Sequence, residues 1–253
     1  MSISISLITI VNKNDVYEGF LKSLGEQKNI TYELIPVYNI DNEFSSARVA
    51  YNQAVQKAQG RYLCFVHPDI RFLDENSLHD FLEYVISIDD FGVVGIAGAV
   101  ACGKKSRDIL TTIVQGEKLE KVGCLINKPE KIQTVDECFF VIKKEYFQKN
   151  HFSIKEGWHL YSVEYCLQAL KKNKQNYVVP SRIWHMSDGK SLDSNYITQL
   201  NILIEEFRND YELICTTVKA WPTKGIGAYL YRKYYWLKQY IKRIIRGKNN
   251  AVF

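Results

Sequence analysis

Residues 45–72, SSARVAYNQAVQKAQGRYLCFVHPDIRF, carry the pattern on which the fold turns. Ala47, Ala50, Tyr51, Ala54, Val55 and Ala58 recur at i, i+3, i+4, i+7, i+8 and i+11, the stripe of an amphipathic helix. A serine stands before it as N-cap. Gly60 ends the helical pattern, and RYLCFVH follows as a buried strand. The strand stops at His67-Pro68-Asp69. Proline biases the residue before it toward extended backbone, so an imidazole and a carboxylate arrive side by side at the strand end.

Outward from this stretch the same alternation continues. SISISLITIV (2–11) reads as a first strand, 14–27 as a helix, and YELIPVYNI (32–40) as a second strand. A helix is expected at 75–88 and a buried strand at FGVVGIAGAVA (91–101). The first hundred residues therefore read β-α-β-α-β-α-β, which predicts a Rossmann-like α/β fold, a mostly parallel sheet flanked by helices. GEKLEKVGCLI (116–126) and KIQTVDECFFVIKKEYF (131–147) predict shorter strands and a short helix. Helices are expected at 160–173 and at 191–214, the latter with Leu192, Tyr196, Leu200, Leu203 and Phe207 on one stripe. NYVVPSRIWHMS (176–187) holds one or two short strands.

The composition, 46% hydrophobic and 24% charged over 253 residues, is that of a folded chain with a large core. No run approaches the ~20 apolar residues of a membrane span. The N-terminus lacks the basic start and small-residue cleavage site of a signal peptide, which predicts a cytoplasmic protein. Six scattered cysteines with no close pair are expected to be reduced and buried, without structural zinc.

The net charge of +5 is unevenly placed. From Lys224 onward there are eight basic residues and no acid, which leaves 25 basic against 28 acidic in the rest. The expected division is a domain over 1–222 and a basic tail over 223–253. In the tail, Ile226, Leu230, Tyr234, Leu237, Ile241, Ile244 and Ile245 gather on one helix face, and Arg232, Lys238, Lys242, Arg243 and Arg246 on the other. Tyr229, Trp236 and Tyr240 mark the border, and Lys233 sits beside the apolar stripe. Such a helix suits the plane of an anionic membrane surface. It equally suits packing on the domain with a basic outer face. No nucleic-acid motif accompanies the charge, and none is expected to bind.

In an open parallel sheet, ligands bind beyond the carboxyl ends of the strands. Asp69 stands there, where a carboxylate suits Mg²⁺ or Mn²⁺ holding a diphosphate. The three residues alone equally fit a turn-capping aspartate beside a buried neutral histidine.

The surroundings decide between these. Ala50-Tyr51-Asn52-Gln53-Ala54, then Ala58-Gln59-Gly60, the strand, and the terminal acidic motif together resemble the nucleotide-sugar half of GT-A fold glycosyltransferases of the family 2 type. Most of that family carries Asp-x-Asp; His67-Pro68-Asp69 departs from it and is most similar to a bacterial subgroup with His-x-Asp. The resemblance spans roughly 3–190. It implies a nucleoside-diphosphate-sugar donor, with Asn12, Asn52 and Asp41 (or its rival Asn39) near the nucleotide. Asp41 also fits an ordinary Asx turn.

The resemblance implies a metal on Asp69, with His185 of RIWHMSDGKS and His67 as further ligands. TVDECFFVIKKEYF resembles the acceptor-side strand, which puts Asp136 at the acceptor pocket. GWHLYSVEYCLQALKK resembles the segment supplying the general base in inverting members, yet Tyr161-Ser162 stand where a Glu-Asp pair is usual. Glu164 is the remaining acid, expected as the base at the border of a buried helix stripe, with Asp136 as the alternative base. Trp158, His159 and Tyr161 are placed to stack on a sugar or to pack. The implied activity is metal-dependent, inverting hexosyl transfer to a glycan or lipid-linked glycan. It would serve bacterial cell-surface polysaccharide assembly at the inner face of the membrane. The alternatives are a degenerate sugar-nucleotide or glycan binder and a nucleotidyltransferase. The latter calls for a Gly-rich basic phosphate loop that IVNKND does not supply.

Overall fold

Central strands buried on both faces organise the molecule. Its computed structural model describes residues 4–187 and 194–249. The chain runs β1 (Ile5–Val11), α1 (Asn14–Gly25), β2 (Tyr32–Tyr38), α2 (Ala47–Val55), β3 (Tyr62–Val66), β4 (Ile70–Phe72), α3 (Ser77–Ile86), β5 (Val94–Gly95) and β6 (Ala97–Ala101). There follow β7 (Arg107–Thr111), β8 (Val114–Gln115), β9 (Glu120–Lys121), β10 (Glu130–Ile132), β11 (Thr134–Val135), β12 (Phe139–Lys143), α4 (Lys144–Phe147) and α5 (Tyr161–Lys171). The last elements are β13 (Asn176–Val178), β14 (Ile183–His185), α6 (Ser194–Phe207), β15 (Leu213–Cys215), β16 (Ala220–Pro222) and α7 (Ile226–Asn249).

Seven strands form the main sheet in the order β10-β13-β5-β12-β3-β1-β2. β1 pairs in parallel with β2 and β3, and β13 with β5, while β12 and β10 run antiparallel to their neighbours. Five of the seven strands thus share one direction. Pro36 sits in β2, the edge strand, where a missing N–H costs no ladder bond.

Both faces of the sheet are covered. Ile5, Leu7, Cys64, Val66, Phe139 and Val141 pack toward α1 and α3, with Phe20 and Phe81. Ile8, Ile10, Leu63, Phe65, Phe140 and Ile142 pack toward α2 and α5, with Tyr51 and Tyr165. The period of two along β3 and β12 sends adjacent residues into opposite layers. A third cluster joins α5, α6 and the β15–β16 hairpin around Trp221.

Three expected boundaries move. The stripe of α2 is buried through Ala58, but regular helix stops at Val55. Gly60 serves a different purpose from ending the helix: a Cβ there would lie 2.6 Å from the Ser6 backbone nitrogen, so its lack of a side chain lets the chain enter β3 against β1. The expected single strand at 91–101 divides at Ile96, and β6 leaves the main sheet to pair with β7 and β11. The helix expected over 191–214 ends at Phe207, because 213–215 pairs with β16. Leu192 and the side chains of Ile244, Ile245, Lys242, Arg243 and Arg246 lie outside the described residues. Four cysteines are buried as expected, but Cys102 and Cys124 are exposed; all six are unbridged.

Candidate active site

Parallel pairing puts the carboxyl ends of β1, β2 and β3 at one edge of the sheet. β12 pairs with β3 in the opposite sense, Phe139 facing Val66, so its first residues reach that same edge. The His67 amide donates to the Cys138 carbonyl at 2.9 Å, which fixes Asp136 and Glu137 beside the His67-Pro68-Asp69 corner. β14 pairs with β4, His185 opposite Ile70, and the Met186 amide donates to the Asp69 carbonyl at 3.0 Å. Three segments far apart in sequence thereby converge.

His67, Asp69 and His185 each offer a ligand atom, all within 4.8 Å of one another. His185 Nε2 lies 3.3 Å from Asp69 Oδ2. The other carboxylate oxygen, Oδ1, is buried with no hydrogen-bond partner among the described residues. An ionised oxygen left in that state is costly unless a cation completes it. The triad therefore fits a divalent ion, and two imidazoles with one carboxylate suit Mn²⁺ better than Mg²⁺. Burial opposes ionisation of Asp69, but the His185 hydrogen bond and the two imidazoles hold its pKa at about 2. Burial pulls the His67 pKa down, favouring the neutral ring. Burial also pulls on His185, yet hydrogen bonding to Asp69 and the charges of Asp69 and Asp136 raise its pKa. His67 Nε2 is 3.0 Å from Tyr161 Oη.

The triad opens into a cleft of about 710 Å³. Asp136, Glu137, Trp158 and His159 line it, with Thr217 from the β15–β16 turn and Trp236 from α7. The loop into α5 is tightly set. Leu160 adopts φ +61°, and at Gly157, φ +103°, a Cβ would overlap the Gln199 amide. A non-glycine residue at positive φ is strained and is held by its surroundings. Here the Gln199 side chain accepts from the His159 amide.

The two acids of this edge differ. Asp136 accepts from the Cys138 amide at 3.0 Å and from Thr217 Oγ1 at 2.5 Å. Burial raises its pKa, but His185 and these hydrogen bonds outweigh it and keep the group ionised. Glu137 Oε1 accepts from the Tyr161 amide at 2.9 Å. Burial and the neighbouring Asp136 charge push its pKa up to about 8, against the pull of Arg48. Sequence reasoning took Asp136 from TVDECFF and passed over Glu137. The signal was the acidic pair itself, just ahead of the buried apolar run Phe139–Ile142.

Glu164, expected at the cleft edge, lies elsewhere. It is 3% exposed, on the α2-facing side of α5. Arg48 Nη2 reaches Glu164 Oε2 at 2.8 Å, and Lys155 Nζ reaches Oε1 at 2.9 Å. Lys155 also pairs with Glu206. Both oxygens are thus held by cations away from the cleft lining.

The nucleotide-side expectations map as follows. Asn12 follows β1 and accepts from Asn39 Nδ2 at 3.2 Å, and Asp41 is exposed after β2. Asn39 organises this turn, its Oδ1 accepting from the Phe44 amide. The Asn52 amide bonds the Phe152 backbone in both directions, tying α2 to the 152 loop. None of these lines the cleft.

The open, mostly parallel sheet with helices on both faces, and the acidic, histidine-bearing corner at its ligand edge, match what the resemblance to GT-A fold glycosyltransferases predicts. Residues 6–207 match the family described as "Glycosyltransferase like family", and the chain belongs to it. Among solved structures, a mannosyltransferase from Pyrobaculum calidifontis in complex with GDP-Man and Mn²⁺ shares the fold at TM-score 0.56 and 10% identity, covering 83% of this chain and 64% of that one. The catalytic domain of Drosophila beta1,4galactosyltransferase 7 with xylobiose aligns at TM-score 0.45 and 16% identity, covering 71% and 65%. A mutant of that enzyme with manganese, UDP-Gal and xylobiose aligns at 0.47 and 15%, covering 74% and 72%. The chain thus spans slightly under two thirds of the first two. No curated protein matches it.

Proposed function

We propose that the protein transfers a hexosyl group from a nucleoside-diphosphate sugar to a glycan or lipid-linked glycan, by single displacement with inversion. The observation that carries this reading is the buried Asp69 Oδ1, without a partner among the described residues, inside the His67–Asp69–His185 triad. Asp69 and His185 would hold the divalent cation, with His67 as third ligand. Such an ion neutralises charge on a departing diphosphate. Asn12 and Asp41, at the ends of β1 and β2, would contact the nucleotide.

The cleft supplies the acceptor side. Glu137 is the base in this reading, because a raised pKa matches proton abstraction near neutral pH. Asp136, its oxygens already engaged, holds the Thr217 loop and tunes Glu137 by its charge. Trp158 and His159 offer faces for a sugar ring. The biological setting we propose is bacterial cell-surface polysaccharide assembly, with the enzyme peripheral at the inner membrane face.

Thermal-shift measurement with UDP- and GDP-sugars, with and without Mn²⁺, tests the reading. The wild type should be stabilised by one nucleotide series only when Mn²⁺ is present, and Asp69→Ala should lose the response. An identical response in both proteins would remove the metal–diphosphate assignment.

A further inference from the structure

α7 has two faces of different character. Ala228, Tyr231, Arg232, Tyr235, Trp236 and Gln239 recur at helical spacing as the buried or half-buried side. Tyr235 packs edge-on to Trp221 at 5.0 Å, and Arg232 Nε donates to Asn201 Oδ1 at 3.0 Å. The sequence had put Arg232 on the solvent-facing basic side; the structure buries it at 8% exposure beneath the helix. Tyr235, Trp236 and Gln239 line the cleft.

The apolar stripe seen in the sequence points the other way. Ile226 is 79% exposed, Leu230 57%, Tyr234 64%, Leu237 54% and Ile241 47%, with Tyr229 and Tyr240 half exposed at its edges. A contiguous apolar surface of this kind marks an interaction site. Its charge selects the partner. Every charged side chain from Lys224 onward is basic, so a second copy of this helix would meet like charge. A nucleic acid would use the charge and leave the leucines and isoleucines wet. Residues 226–241 extend only about 24 Å as helix, and no helix among the described residues is long and apolar enough to cross a membrane. Aromatic borders and basic flanks around an apolar stripe suit the plane of an anionic bilayer surface.

We propose that α7 lies in the surface of an anionic bilayer through Ile226, Leu230, Tyr234, Leu237 and Ile241 while its opposite side forms a wall of the cleft. Membrane contact and the acceptor wall are then one element. An acceptor anchored in the same leaflet presents its glycosyl head to Tyr235 and Trp236 without leaving the surface. The acceptor class rests on the glycosyl-transfer reading above; the bilayer surface does not.

Full-length protein and a Leu230→Glu/Leu237→Glu variant would be sedimented with phosphatidylcholine vesicles, with and without phosphatidylglycerol. Both positions are solvent-exposed, and a Leu230→Gln/Leu237→Gln variant provides a milder change. The wild type should pellet with the anionic vesicles only. The glutamate variant should lose binding about tenfold or more, while its Mn²⁺-dependent nucleotide shift is unchanged. Amide exchange should slow on vesicle addition both in 226–241 and in the adjoining cleft turn 216–218. Equal pelleting of wild type and both variants, or a dimer that the substitutions break, would overturn the surface. Slowing confined to α7 would overturn its coupling to the cleft. Vesicle binding in a protein that responds to no nucleotide would leave the surface standing and remove the glycosyl-transfer reading.

Discussion

Glu137 and Glu164 both feel the charge of Arg48, and the difference between them is what else they meet. Glu164 has a cation on each oxygen, so its role is to pin α5 to α2 and the 155 loop. Glu137 accepts from backbone donors beside a neighbouring anion, feels Arg48 only at a distance, and faces the cleft. Glu137→Gln should lower kcat by about 10²–10⁴-fold. Glu164→Gln should keep kcat within a few-fold and lower the melting temperature, because Arg48 then loses the charge it was buried against. The pH profile carries the same distinction. A base must be ionised, so the rate should climb as pH rises through about 8. The sign for stability is the reverse. A carboxyl whose folded pKa exceeds its unfolded value stabilises below the unfolded value, and that contribution fades as pH rises through the folded one. Melting temperature should therefore decline from mildly acidic pH toward 8, and more shallowly in Glu137→Gln.

At the scale of elements, close approaches matter more than helix propensity. Gly60→Ala would drive a Cβ into the backbone of Ser6, which cannot withdraw without breaking the β1–β3 register. The expected cost is about 1–3 kcal/mol, read as a lower urea midpoint with an unchanged slope. The stripe of α2 and the run of β3 were legible because their periods are unambiguous and their faces are fully covered. The division of 91–101 was not. A continuous apolar run looks the same whether it stays in one sheet or crosses to another, and Val135 against Gly95 is a tertiary contact. In α7 the apolar stripe was legible, but not which side docks. That is set by the surface Trp221 presents, which no local pattern encodes.

For the whole molecule, the site depends on long-range pairing. Asp69 and His185 were named together from the family resemblance, and the structure brings them to 3.3 Å, one in the turn between β3 and β4 and the other at the end of β14. The Tyr161–His67 contact and the engagement of Glu164 were not legible, because they join segments some hundred residues apart. Metal binding should follow the protonation of this corner. His185 keeps its proton to higher pH than an isolated histidine, and a metal ligand must be deprotonated. Stabilisation by Mn²⁺ should thus shrink as pH falls through the histidine range, and excess chelator should abolish it, both measured by thermal shift.

The reversed direction of β12 has a consequence for how the site can vary. Its acidic pair lies just ahead of the first rung, Phe139 opposite Val66, and the bond from the His67 amide to the Cys138 carbonyl carries the pairing one residue further, so the two segments stand an interstrand spacing of about 4.8 Å apart there. No loop length enters that distance. One residue inserted at Cys138 would slide β12 by a rung and turn every side chain to the other layer. Phe139 to Ile142 would stay apolar in either frame, but the side chains that fill one layer would have to pack in the other, and the acidic pair would move one residue relative to His67. Reading frame, as well as residue identity, sets which side chains meet at this corner.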